Sequence, residues 1–508
     1  MSLSRSSLHW FVVAILILSL GAVYIATLAP GLSWANNGAD GGDLISAAAT
    51  GGIPHPTGYP TYLLLARFFQ MIPLRSLAFR TNLLSAVCAV AAAVFVYLAV
   101  ARLLSAKPLN WLAGGIAALA YGLSPLVWSQ AVITEVYSLQ ALFVALIVYL
   151  WFYGFDLKPE KLVCYDITIG LVAGLAFGNH LTTMFLLPLV FSMGAAIKKQ
   201  KLEKVEGLQS WMKGWKIRWA SIGWRSGALL ASLMVYLVLP LRAVSRPPIN
   251  WGDPVTLKNF IWLVSGQLYA GRVFAVPLDY VFPRIQYWAY LLGAQFGWLG
   301  LAVGLYGVLF SRGQAIKKIV PGMAWLFIVF SIFSIGYNSY DSDVYLIPAF
   351  LMGAVWVGIG ALELIDWSIQ RKRWMGLITA GAVVVGLVIP AFFHYPEVDA
   401  SHDQRAENFG TEVFDSALPH AIIFTQGDEA TFALQYFQLV LHRRPDVALV
   451  VANLMPYGWY RTTLSASYPS LVVPDHAVEA WDEAVVQANL SRPVCDASYD
   501  AKMEFSCR

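Results

Sequence analysis

The strongest constraint on this chain is the recurrence of long apolar windows along its 508 residues. They fall near residues 9–29, 78–103, 109–127, 131–154, 166–196, 226–243, 286–310, 318–337, 345–366 and 374–394. A helix that crosses a bilayer needs about 20 mostly apolar residues, because its backbone polar groups must be satisfied within the segment. The sequence therefore predicts a mainly α, polytopic bundle of transmembrane helices. Charged residues make up 13% of the chain, about half the share usual in a soluble domain. The net charge of +4 is small, and the basic residues sit beside apolar spans rather than on one soluble face, which argues against a nucleic-acid partner. The first window is longer than a signal-peptide core and lacks a small-residue cleavage site, so it reads as a retained span.

From about residue 395 the composition changes. Short β-type runs, Ala421–Phe424 and Val447–Val451, flank a helical-looking stretch from Ala430 to Leu441. This predicts a transmembrane domain over residues 1–394 and a small α/β domain over 395–508. Cys495 and Cys507 lie in that tail, where a disulfide can form if it is extracytoplasmic. Cys88 and Cys164 read as packing residues, and no CxxC pair suggests structural zinc.

Orientation follows from the Lys/Arg bias of short loops. Arg102 and Lys107, Lys158 and Lys161, the run from Lys198 to Arg225, Arg312 with Lys317 and Lys318, and Arg371 to Arg373 are all expected on the cytoplasmic side. A single crossing through 166–196 would put the 198–225 segment on the wrong side. As one helix that stretch would be about 46 Å long, and Gly178-Asn179-His180 divides it. Two short or tilted helices resolve the conflict. The expectation is about eleven crossings, with the N-terminus inside and the tail outside. The loops 30–77, 125–131, 244–285 and 338–344 then share the outer face with the tail, and the polar motifs fall on or near that face.

The first motif is Asp40-Gly41-Gly42-Asp43, followed by His55-Pro56-Thr57-Gly58-Tyr59-Pro60. A carboxylate at a membrane surface can act as a general base on a hydroxyl, and a pair can hold a divalent metal, so metal dependence stays open. The plainer alternative is that Asp40 or Asp43 caps the helix beginning near Leu44. His55 and Tyr59 sit on a stiff proline-glycine run. Held near the acidic loop, His55 can hydrogen-bond a phosphate or a substrate hydroxyl; the plainer alternative is a re-entry turn leading into an interfacial helix. Glu135, in the cluster Trp128 to Tyr137, is an ionisable group at a span end and so a site candidate; a solvated helix-end carboxylate is the alternative. His180 marks the break, as a site residue or a structural histidine. Arg242 and Arg246 suit a phosphate, because the guanidinium fork matches its oxygens, or simply snorkel to headgroups. Asp253 lies in the turn Asn250 to Pro254. Tyr337, Tyr340, Asp341, Asp343 and Tyr345 form a second acidic, aromatic loop, which contacts sugars or cations, or only connects spans.

Taken in order, these motifs resemble a known family. They are the Asp-containing loop, His-Pro-x-Gly-x-Pro, Thr-Glu-Val-Tyr, Gly-Asn-His, Leu-Pro-Leu-Arg and Asn-Trp-Gly-Asp-Pro, with Gly427-Asp428 and Arg444-Pro445-Asp446-Val447 in the tail. The chain is similar over residues 30–460 to the polytopic membrane group that includes the animal plexin-modifying protein O-mannosyltransferase, itself similar to the GT-C glycosyltransferases. The resemblance implies a GT-C-like fold and an inverting transfer of a sugar from a polyprenyl-phosphate donor to a protein, glycan or lipid hydroxyl. It implies Asp40 as the base. Asp43 stands where the family commonly has Glu. His55, Glu135, His180, Arg242 and Asp253 fall at the family's polar positions. Under this reading Arg242, Arg246 and His180 contact the donor phosphate, while His55, Tyr59, Glu135 and Asp253 contact the sugar or acceptor. No glycine-rich nucleotide fingerprint is present. The alternative class is a transporter or lipid flippase, which would need midplane polar residues and commonly an internal repeat; no repeat is evident. A non-enzymatic receptor is a third reading. The compartment is a plasma membrane in a prokaryote or the endoplasmic reticulum in a eukaryote.

Overall fold

The structure, a computed structural model, describes residues 5–155, 157–192, 208–311, 313–475, 480–500 and 502–508. The basic residues Lys198, Lys199, Lys201 and Lys204, and Arg312, lie outside the described residues. Helix α1 spans Arg5–Ala26, and a long loop then carries the short helices α2 (Gly41–Thr50) and α3 (Pro60–Gln70). Next come α4 (Leu77–Leu103), α5 (Asn110–Gly122), α6 (Pro125–Ala131), α7 (Tyr137–Gly154), α8 (Leu162–Phe177) and α9 (Leu187–Ser192). Beyond the undescribed stretch lie α10 (Leu208–Leu233), α11 (Val238–Ala243) and α12 (Leu257–Val264). The bundle is completed by α13 (Leu278–Phe310), α14 (Gln314–Gly336), α15 (Ile347–Arg371) and α16 (Arg373–Val398).

Among the described residues, eight helices are long and apolar enough to cross a bilayer. The pair α5–α6 forms a further candidate, bent by 68°. The stretch expected to break does break. Helix α8 ends at Phe177, and His180 has extended backbone and accepts from the Thr182 N–H at the start of the 3-10 turn Leu181–Leu186. Side chains replace the lost helical bonds. The buried Asn179 amide donates to Val136 O (3.2 Å) and Gln140 Oε1 (3.3 Å), and Gln140 donates to Thr183 Oγ1 (3.1 Å). Buried backbone groups freed by a helix break need partners of this kind. With the bent pair, the described residues hold up to nine candidate spans, against the eleven crossings expected; the two halves of the broken stretch are each shorter than a full span.

Arg225 closes the predicted basic run, yet its side chain is buried in the bundle rather than placed in a loop. Its Nε meets Asp166 Oδ1 at 2.7 Å and its Nη1 donates to Val190 O at 2.6 Å. Ser221 donates to the other oxygen of Asp166 at 2.5 Å. This paired charge joins α8, α9 and α10, the interior placement that an ionisable group in a membrane bundle requires.

Helix α4 separates the two ends of the bundle by about 40 Å. Near its start, Asn82 donates to Ala29 O and Gly31 O (both 2.9 Å) and accepts from Thr134 Oγ1 (2.6 Å). This collects the first long loop and the α6–α7 turn at one end. Beyond its other end, Lys107 pairs with Asp366 at 3.0 Å.

The tail holds α17 (Arg405–Ser416), β1 (Ile422–Gln426), α18 (Asp428–Leu439), β2 (Ala448–Val451), α19 (Gly458–Ser467), α20 (Trp481–Ala488), β3 (Val494–Asp500) and β4 (Lys502–Cys507). The sheet order is β2-β1-β3-β4; β1 runs parallel to β2 and β3, and β4 is antiparallel. Cys495 and Cys507 face each other in register and are disulfide-bonded. The tail seats on the first loop. Asp403 Oδ2 accepts from Ser33 Oγ and Trp34 N–H, each at 2.8 Å. At Gly42, a Cβ would lie 2.3 Å from Phe432 O, so α2 meets α18 only because that position carries no side chain. Gly42→Ala is expected to cost about 1–3 kcal/mol of overpacking. The detergent-solubilised variant should melt several degrees earlier than wild type and be cut faster by protease within 405–508. Gly223→Ala, with nothing within 4 Å of its added Cβ, should do neither.

Candidate active site

The site begins with the turn into α2. Asp40 occupies the capping position, but its side chain makes no cap bond. It lies instead 3.3 Å from His55 Nε2, with 34% of its side chain exposed. Asp43 is fully buried, and its Oδ2 accepts both the His55 N–H (2.8 Å) and the ring Nδ1–H (2.7 Å). The capping alternative therefore describes neither acid. Tyr59 OH donates to Pro56 O (3.0 Å) and lies 3.1 Å from His55 Nε2. The result is a carboxylate–imidazole–carboxylate chain braced by a tyrosine. Phe432 of α18 stacks on the imidazole with centroids 6.0 Å apart.

Charge follows from this geometry. Burial opposes the His55 cation, but Asp40 and then Asp43 outweigh it and raise the pKa to about 9. Asp40 is pushed up to about 6, first by burial; His55 works against the shift, and Asp428, Asp43 and Asp341 add to it. At neutral pH Asp40 is thus mostly ionised while remaining more basic than an ordinary aspartate, a combination suited to a general base.

These residues open onto a cavity of about 460 Å³. Asp40, His55 and Tyr59 form one wall, and Glu135, Tyr137, His180 and Tyr345 form another part of the lining. Arg272, Asp341 and Asp428 also face it. The structure therefore brings together Asp40, His55, Tyr59, Glu135 and His180, with Asp43 behind His55, and adds Tyr337, Tyr340, Asp341 and Tyr345 of the second acidic loop. Burial holds His180 down to about 4, so it is neutral. Its Nδ1 accepts from the Thr182 N–H, which leaves the ring proton on Nε2.

Arg242, Arg246 and Asp253 are not brought to the cavity. Arg242 Nη1 donates to Gly52 O at 3.1 Å. Arg246 is exposed in a left-handed turn. Asp253 accepts from Asn250 Nδ2 at 3.0 Å and closes its own turn. Their segment acts as a brace: Ile53 N–H donates to Ile249 O (2.8 Å) and Trp251 N–H to Ile53 O (3.2 Å), fixing the backbone two residues before His55. Among the described residues, no group of three or more His, Cys, Asp or Glu side chains is arranged to hold a metal ion.

Arg272 and Asp428 are charged lining residues that the sequence reading did not single out as site residues. Arg272 ends the 3-10 turn Gln267–Arg272, its guanidinium 5.4 Å from the Tyr269 ring centroid. A lone arginine beside an interfacial helix looks like a snorkelling side chain, so no sequence signal set it apart. Asp428 enters from the N-terminus of α18. Its signal was the Gly427-Asp428 step after a β-run, which says nothing of where the tail docks.

Residues 40–203 match the family model of the TMEM260 protein O-mannosyl-transferase N-terminal domain, and residues 406–479 match that of TMEM260-associated domain 2. These two matches liken the chain to this family. The first match begins at Asp40. Among family members, the protein O-mannosyl-transferase TMEM260 of Mus musculus is 25% identical over 486 residues, covering 90% of this chain and 64% of that protein. The protein O-mannosyl-transferase tmem260 of Dictyostelium discoideum is 23% identical over 519 residues, covering 92% and 60%. The chain thus spans a little under two thirds of the length of these TMEM260 relatives. In fold it resembles ArnT from Cupriavidus metallidurans bound to undecaprenyl phosphate, with a TM-score of 0.58, 11% identity, and 96% of this chain and 92% of that one covered. It also resembles the Archaeoglobus fulgidus oligosaccharyltransferase, with a TM-score of 0.51, 13% identity, and coverage of 96% and 68%. The chain is an integral, multi-pass membrane protein with the GT-C-like helical architecture.

Proposed function

We propose that the protein is an inverting glycosyltransferase. It moves a hexose, with mannose as first candidate, from a polyprenyl-phosphate donor to an acceptor hydroxyl such as a protein Ser or Thr, on the extracytoplasmic face. The observation that carries this reading is Asp40, an accessible carboxylate of raised basicity on the wall of a closed-in cavity at one end of a membrane bundle. The names of the TMEM260 relatives support mannose and a protein acceptor. The undecaprenyl phosphate bound by ArnT supports the lipid carrier. A disulfide in the tail suits an oxidising compartment, in keeping with residues 395–508 lying as an α/β domain over the outer loops.

Asp40 takes the proton of the acceptor hydroxyl as its oxygen attacks the anomeric carbon from the side opposite the phosphate. The bond from that carbon to the phosphate oxygen breaks, and the polyprenyl phosphate leaves with the electron pair. The leaving group is anionic and needs no protonation, so the protein's tasks are alignment and charge stabilisation. His55, protonated and held by Asp43, keeps Asp40 aimed and partly neutralises it. Arg272, an arginine among the cavity's lining residues, meets the phosphate in this reading, the role expected from sequence for Arg242 and Arg246.

The test is transfer by purified protein from radiolabelled polyprenyl-phosphate hexoses to Ser/Thr-rich peptides. The expected product is an inverted glycoside formed from the lipid-linked sugar and not from a nucleotide sugar. No transfer from any such lipid, combined with ligand-dependent flux in proteoliposomes, would replace this reading with the transporter. Arg272→Ala is expected to raise the donor KM about tenfold or more, as befits a charge-assisted contact of about 1.5–3 kcal/mol, with a smaller change in peptide KM. Initial rates against each substrate check it.

A further inference from the structure

Resting on that glycosyltransferase reading, we infer that Glu135 is a specificity-determining residue that hydrogen-bonds the transferred sugar, within a subsite walled by Tyr137, His180 and Tyr345. The starting observation is an orphaned atom. Glu135 lines the cavity and is only 4% exposed, yet its Oε2 is buried with no hydrogen-bond partner. A buried polar atom left unpaired costs about 1–3 kcal/mol, and such atoms are uncommon enough that each calls for a cause. A ligand hydroxyl in the cavity supplies one.

The side chain is uncharged because of what surrounds it. Among the described residues, no basic side chain forms an ion pair with it. The charged groups acting on it are Asp40 and Asp341, both carboxylates, and burial together with these two drives its pKa well above the ordinary range. The cations of the cavity are engaged elsewhere or absent. His55 is held between Asp40 and Asp43, His180 is neutral, and Arg272 stacks near Tyr269. Tyr59 and Tyr62 also face Glu135, and burial keeps both phenols protonated. A protonated carboxyl donates and accepts at once, which matches a sugar hydroxyl or an adjacent hydroxyl pair. It also adds no negative charge beside the donor phosphate.

The surrounding structure fixes this group in place. Thr134 is bonded to Asn82 (2.6 Å), Val136 O accepts from Asn179 (3.2 Å), and Ser85 donates to the Glu135 carbonyl (3.4 Å). Beside it, the rings of Tyr137, His180 and Tyr345 contact one another with centroids 5.7–6.0 Å apart. Aromatic faces next to one donor–acceptor group form a surface with both apolar and polar complements to a neutral hexose. Sites built to hydrogen-bond a hydroxyl discriminate strongly, because the wrong ligand leaves the buried group unpaired.

The experiment is competition binding of polyprenyl-phosphate mannose against bare polyprenyl phosphate, read by native mass spectrometry on the full chain. Wild type should prefer the glycosylated lipid at least tenfold. E135Q, which keeps a neutral donor and acceptor, should hold that preference within about threefold. E135M, which fills the volume without either, should lose it while binding the bare lipid as wild type does. An unchanged preference in E135M overturns the inference and leaves the glycosyltransferase reading intact. A loss in E135Q equal to that in E135M overturns it by showing that the charge matters. If E135M fails to bind even the bare lipid, E135Q alone decides, by retaining or losing the preference. A wild type with no preference overturns the inference together with the reading beneath it.

Discussion

Asp40→Asn is expected to reduce kcat for glycosyl transfer by about 10²–10⁴, the range a positioned general base contributes, with donor binding changed only a few-fold. The asparagine is isosteric, and Asp40 makes no cap bond that folding depends on, so the loss should fall on chemistry. The same group sets the acid limb of the pH profile. Only the carboxylate accepts a proton, and its pKa is raised to about 6, so the rate should fall as pH drops through about 6. The alkaline limb belongs to His55. Its raised pKa of about 9 means that its charge, and the stability gained by pairing it, is fully present below its ordinary value near 6.5. Both are lost as pH rises through about 9. A bell with apparent values near 6 and 9 would belong to the coupled pair rather than to either residue alone. His55→Gln should remove the upper limb and move the lower one to higher pH, because His55 holds the Asp40 pKa down. A flat profile from pH 5 to 10, or an Asp40→Asn variant with wild-type turnover, would remove Asp40 from the role of base.

The sequence carried much of this arrangement because a bilayer sorts residues severely. Apolar windows located the spans, and the polar residues that remained had to gather at loop ends or breaks. Asp40, His55, Tyr59, Glu135 and His180 are thus legible as a group in the sequence. The break at Gly178-Asn179-His180 was legible for the same reason, as a polar interruption in a run too long for one span. Arg242 and Asp253 sit near the right motif and yet bond loop groups, Gly52 O and the Asn250 amide, and Arg246 is exposed outside the cavity. The bridge between Ile53 and Asn250, and the bonds that Arg242 and Asp253 make within it, depend on pairing two distant loops, which no local pattern encodes. Arg272 and Asp428 were hidden by the same limitation. Asp428 reaches the cavity because α18 lies against α2 where Gly42 leaves room, a contact between positions almost four hundred residues apart.

Asp43 should give the largest stability effect in the molecule. It is fully buried, and its one bonded oxygen serves two donors of His55. Asp43→Ala strands a buried imidazolium and a backbone N–H, and removing one partner from a buried pair costs about 3–5 kcal/mol. The apparent melting temperature should fall sharply, and transfer should fall with it, since His55 then has only Asp40 and Tyr59 to hold it. Asp43→Asn separates the contributions. Its amide oxygen can still accept a bond from His55, so it should lose less stability than alanine, while the missing charge lowers the pKa of His55 and shifts the alkaline limb of the rate profile downward. Asp43→Glu introduces the residue the family commonly carries, and keeps the charge, but the extra methylene must fit a site with no free surface, at about 1–3 kcal/mol. It should recover more activity than stability. The decisive comparison is the double variant Asp43→Ala with His55→Ala. If the two residues act as one unit, the pair should be little worse than Asp43→Ala alone, because the stranded cation that makes the single change costly is gone. Additive losses in thermal unfolding would instead mean that Asp43 stabilises α2 independently of His55, and that the histidine is held by Asp40 and Tyr59.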